Sequence, residues 1–297
     1  MIARQTLIGW SWRVPVCMLV LIISQMLGVA LVSVLGLALP AIPGGVEAGA
    51  QSLMILPWAL VLTLGMAAIG VGLSGRWWER WAILAAFLYV IYGVGNAIET
   101  VIFTTIGGQW ATVVLHLSPS VLGGLAVAAM FPGPSDDAFK GRAVAFFAGS
   151  KPGKLAARLG LAVLAFPFCY LLFGMMVAPI VIPYYERLDF LVTPPMQTIL
   201  KVLFLRSLLL LLVSLPVIIG WRESRGRLIV ALGAGHFVAV GLAGLIMAPF
   251  FPPVLRLTHG IEILADSICY AVALAWLLFP HVGRVSEEQA VLQERMA

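Results

Sequence analysis

The run Arg256-Leu257-Thr258-His259-Gly260-Ile261-Glu262-Ile263-Leu264-Ala265-Asp266 leads straight into the apolar stretch Ser267 to Pro280. His259, Glu262 and Asp266 are spaced i, i+3, i+7, which is one face of a helix. Upstream, Tyr92, Asn96 and Glu99 repeat the pattern at i, i+4, i+7 inside a second apolar run. Lys201 and Arg206 stand within a third, and His116 and Ser120 bracket Pro119 in a fourth. Ionisable side chains in apolar spans are costly and mark functional sites by default.

Three chemistries are open to these residues. An imidazole and two carboxylates on one face suit zinc or another divalent ion, which makes His259, Glu262 and Asp266 metal candidates, with Glu99, His116 or His236 to complete a shell. Against this, there is no His-Glu-x-x-His and no histidine pair at i, i+4. Lys201 and Arg206 would also repel a cation, so no cofactor is predicted. Nucleophilic catalysis has little support, since none of Ser120, Ser207 and Ser267 lies in a Gly-x-Ser-x-Gly elbow. Binding fits better: Arg206, Lys201 and Arg256 could hold an anionic group, and Glu99 and Asp266 could carry protons.

These residues are positioned by a very apolar chain. Of 297 residues, 62% are hydrophobic and only 10% charged, and mean hydropathy is +1.06. Soluble domains carry roughly 25% charged residues. Long unbroken apolar runs, with no barrel-like alternation, predict an all-α polytopic membrane protein. The runs give eight spans at about 15–39, 53–74, 81–105, 111–131, 159–182, 198–220, 228–250 and 260–280. They read as one integral membrane domain of two four-span halves, 1–131 and 158–297, joined by a cytoplasmic loop 132–157. The outer loop 183–197, aromatic and amphipathic, reads as a surface loop, with a lid as the alternative.

With the N-terminus inside, cytoplasmic segments hold Arg4, Arg13, Arg76, Arg80, Lys140, Arg142, Lys151, Lys154, Arg158, Arg222, Arg225, Arg227, Arg284 and Arg295, which is 14 of the 18 Lys and Arg. This bias predicts both termini in the cytoplasm; the compact architecture suggests a plasma (inner) membrane. Trp10, Trp12, Trp77, Trp78, Trp81, Trp110 and Trp221 fall at span ends, as interfacial anchors do. The scattered basic residues form no nucleic-acid patch, so the expected partners are membrane lipids and a small or amphiphilic ligand. Cys17, Cys169 and Cys269 lie in apolar runs and read as packing residues. The stripe Gly235, Ala239, Ala243 beside His236 reads as helix packing.

On this topology the intramembrane charges all fall in the outer half. Glu99 and Asp266 each lie roughly 10 Å below the surface at 1.5 Å per residue. Charges buried at one level should converge, because an unpaired ion in low dielectric costs several kcal/mol. The expectation is one extracytoplasmic pocket among spans three, four, six and eight, with Arg206 as anion clamp and Pro119 and Pro194-Pro195 as helix breaks. It points to a binding or transport protein for an anionic ligand. The alternatives are an intramembrane enzyme using His259, Glu262 and Asp266, and an accessory subunit whose polar cluster only fixes helix register.

Overall fold

The computed structural model describes residues 2–43, 52–135 and 137–296, with side chains over 9–43, 52–135 and 137–279. Every named element in it is helical. Seven helices are long and apolar enough to cross a membrane: Gly9–Val34, Trp77–Phe103, Gln109–Met130, Pro152–Tyr185, Met196–Gly220, Arg225–Met247 and Pro253–Phe279. The chain is a polytopic, membrane-embedded protein.

In chain order the elements are α1 (Ile2–Val34), α2 (Ile55–Gly70), α3 (Trp77–Leu88), a π-helical turn π1 (Tyr89–Val94), α4 (Gly95–Phe103), α5 (Gln109–Leu115), α6 (Leu117–Met130), α7 (Phe139–Ala148), α8 (Pro152–Tyr185), α9 (Met196–Gly220), α10 (Arg225–Phe237), a second π turn π2 (Val238–Leu242), α11 (Ala243–Met247) and α12 (Pro253–Met296). The predicted second span is the exception among eight. Its helix, α2, has 16 residues, about 24 Å at 1.5 Å per residue, short of the ~30 Å hydrocarbon thickness.

Helix packing follows small residues. A Cβ at Gly124 of α6 would lie 2.8 Å from the Ala85 backbone nitrogen of α3, so only glycine permits that close approach. Gly28 of α1 rests on the Leu115 carbonyl. That carbonyl is where the fourth span breaks, because Pro119 has no N–H to return to it. Pro119 thus lies in the first turn of α6, and the break itself is at His116.

One expectation about connections is corrected. The segment 132–157 is not a loop: it contains α7 and the first residues of α8. Arg142 of α7 donates to the carbonyls of Gly220 (3.1 Å) and Ser74 (2.6 Å), tying three connections together. Burial, with Arg222 adding to it, pushes the Arg142 pKa below the ordinary arginine value. Arg80 is buried too, donating to the carbonyls of Ala128 and Phe131. Glu79 accepts from the backbone N–H groups of Arg76 (2.8 Å) and Phe139 (3.1 Å). Trp221 is no interfacial anchor: it is buried against Gly72.

At the opposite end, 183–197 is a surface segment with most residues exposed, but it is pinned to the bundle and not free. Helix α8 runs on to Tyr185. Thr105 N–H donates to Phe190 O (3.0 Å) and Val192 N–H to Phe103 O (2.9 Å). Leu191 is buried with Val181 and Leu255, and the Phe190 ring stacks on Phe251. The segment thus joins the ends of α4, α8 and α12 at this end of the bundle.

Candidate functional site

Arg206 sits midway along α9, 5% exposed. Helix α9 is apolar almost all round, so burying an arginine there requires a countercharge from a neighbour. Glu99 of α4 supplies it, with Oε1 2.6 Å from Nη1. The carboxylate oxygen lies off the N–H direction, so the contact is an ion pair rather than a well-aligned hydrogen bond. The guanidinium also lies over the Phe166 ring at 5.5 Å, a cation–π contact strengthened by desolvation.

Arg206 and Glu99 line a cavity with Phe166 and Tyr170 of α8, His236 of α10, Val240 of π2, and Asp266, Ser267 and Tyr270 of α12. Its volume is about 20 Å³, room for one water at about 10–15 Å³ each. Two of its lining groups are buried without a partner: His236 Nδ1 and Asp266 Oδ1. His236 is fixed by the bond between its Nε2 and Ser214 Oγ (2.8 Å) and lies between the rings of Phe87 and Tyr270. The Ser207 hydroxyl beside Tyr270 donates to the Val163 carbonyl at 2.5 Å and keeps its lone pairs to accept from the Tyr270 hydroxyl. Buried polar groups are nearly always satisfied, so two such atoms on one small cavity are a departure from the rule.

The flanking backbone departs from the rule as well. A second small space, lined by Val90, Ile91, Gly95, Leu209, Leu210 and Val240, reaches Arg206 from the other side. Its walls include π1 and π2, and π turns inside α-helices are frequent at functional sites. The wide turn of π1 rotates Tyr92 off the Glu99 face. The Tyr92 hydroxyl accepts from Trp58 Nε1 (2.7 Å), and its ring packs edge-on against His116 at 4.4 Å.

The other predicted site residues divide accordingly. His116 bonds the Thr112 carbonyl (2.7 Å) and does not line the cavity; spans five and seven contribute walls where span four was expected. Lys201 is exposed. It precedes Arg206 by five positions, about 140° around a helix, so the two cannot share a face. Asn96 lies beside Gly244 of α11. Arg256 is half-buried at the 183–197 end of the bundle. His259 Nδ1 and Glu262 Oε2 are paired at 2.8 Å, with Glu262 Oε1 against Gly174 of α8. His259, Glu262 and Asp266 do not close on a common centre, and among the described residues no three His, Cys, Asp or Glu side chains converge as a metal shell.

His236, read in the sequence as a possible metal ligand or a packing histidine, lines the cavity, and Tyr170 and Tyr270 join it unforeseen. Tyr270 could have been foreseen, because it follows Asp266 by four positions on the same face. Comparison of the chain with protein-family models, with curated proteins and with solved structures returns no match.

Proposed function

We propose that the protein binds or transports a proton or small cation across the membrane, with the Arg206 cavity as its working site. The observation that carries this reading is the set of unpartnered buried atoms on one water-sized cavity, Asp266 Oδ1 foremost. A buried carboxylate oxygen without a donor is poised to take up a proton or a cation. The anionic ligand suggested by Lys201, Arg206 and Arg256 together has less support. Lys201 faces outward, and at the cavity two carboxylates, Glu99 and Asp266, face the single cation Arg206. Arg206 pairs directly with Glu99 and faces Asp266 only across the cavity, so Asp266 is the less firmly held carboxylate and the exchanging group. The basic residues gathered at the α7 end support placing that end on the cytoplasmic side.

The closed Arg206–Glu99 pair also favours a second reading, an accessory subunit in which the cluster fixes helix register. Proteoliposomes separate the two. A pH jump on a supported proteoliposome layer should give a transient charge displacement in the wild type, and Asp266→Asn should abolish it while the protein stays folded. No displacement in the wild type, or an unchanged one in Asp266→Asn, sinks the proton and cation reading and leaves the structural role.

A further inference from the structure

Helix α7 has an inner face and an outer face of different character. Phe139, Ala143 and Phe146 pack inward against Leu155, Leu215 and Ile219, and Arg142 is anchored to the carbonyls of Ser74 and Gly220. Lys140, Val144 and Phe147 follow at i, i+4, i+7 and share a neighbouring face, about 100° around the helix. Val144 is 59% and Phe147 49% exposed, and Lys140 is exposed with them. Exposed Lys151 and Lys154 continue the basic character into the start of α8.

The charge balance says what this face meets. From 138 to 158 the chain carries Lys140, Arg142, Lys151, Lys154 and Arg158 and no Asp or Glu. Among the described residues, the acidic groups nearby are already engaged: Glu79 by backbone N–H groups, Asp137 by Arg222 and Glu223 by Arg227. Among the described residues, Lys140, Lys151 and Lys154 form no ion pair. A second copy of the same face would be repelled. An apolar strip edged by uncompensated lysines, held rigidly at the end of the membrane spans, matches the boundary between acyl chains and anionic headgroups.

We infer that the outer face of α7, with Lys151 and Lys154, is a docking surface for anionic phospholipid, with Val144 and Phe147 seated among the acyl chains and the three lysines on the phosphates. The site is independent of the Arg206 cavity.

The test uses the full chain in nanodiscs of phosphatidylcholine with or without phosphatidylglycerol of the same acyl chains, read by native mass spectrometry and thermal unfolding. The wild type should retain phosphatidylglycerol selectively and melt higher in its presence. Changing Lys140, Lys151 and Lys154 to Gln should remove that retention, at about five-fold per lysine, with melting in pure phosphatidylcholine unchanged. Arg at the same three positions should restore retention. No phosphatidylglycerol preference in the wild type, equal retention by the Gln variant, or equal protection by soluble glycerol phosphate would each overturn the inference.

Discussion

Arg206→Met is expected to destabilise the protein by about 3–5 kcal/mol, seen as a large fall in the thermal unfolding midpoint in detergent. The methionine fills most of the volume, so the cost is not a cavity. It comes from what the arginine leaves behind. Asp266 is 5% exposed and has no cation other than Arg206 on its cavity. Glu99 is less affected, since its side chain is 34% exposed and can turn toward the interface. The loss should therefore fall toward the lower end of that range. Asp266→Asn alone should be near neutral in stability, because it removes a buried charge and keeps the shape.

Arg80→Met should cost about 2–4 kcal/mol at the opposite end of the bundle. Arg80 is 3% exposed, and its Nη2 caps the carbonyls of Ala128 and Phe131 at the end of α6. The last carbonyls of a helix have no intrahelical donor, and here they are shut away from water. Methionine keeps the aliphatic stem and removes every donor, so both carbonyls are left unsatisfied. The same unfolding measurement applies, and a loss below about 1 kcal/mol would show that solvent or headgroups replace the guanidinium.

Sequence carried the membrane class and much of the charge pattern. Apolar runs and in-span ionisable residues are thermodynamic statements about lipid, readable one helix at a time. Depth along each run placed Glu99, Arg206 and Asp266 at comparable levels, and all three line one cavity. Depth does not give azimuth between helices, so span four was expected where spans five and seven supply Tyr170 and His236. Within one helix azimuth is readable, and the five-residue gap from Lys201 to Arg206 was the available signal that they diverge. The buried network of Glu79, Arg80 and Arg142 was hidden for another reason. Charges beside span ends look solvated in a linear chain, and only the docking of α7 encloses them. The short α2 and the two π turns reflect packing against neighbours, which no local pattern encodes.

Arg206, paired directly with Glu99, also offsets the charge of Asp266 across one buried cavity. The most direct measurement is the unfolding midpoint of Arg206→Met with and without Asp266→Asn, in the same detergent. The coupled pair predicts that the double variant is more stable than Arg206→Met alone, since no unpaired buried carboxylate remains. If the double variant is no more stable than Arg206→Met alone, the two side chains act separately and the cavity is not a charge-coupled site.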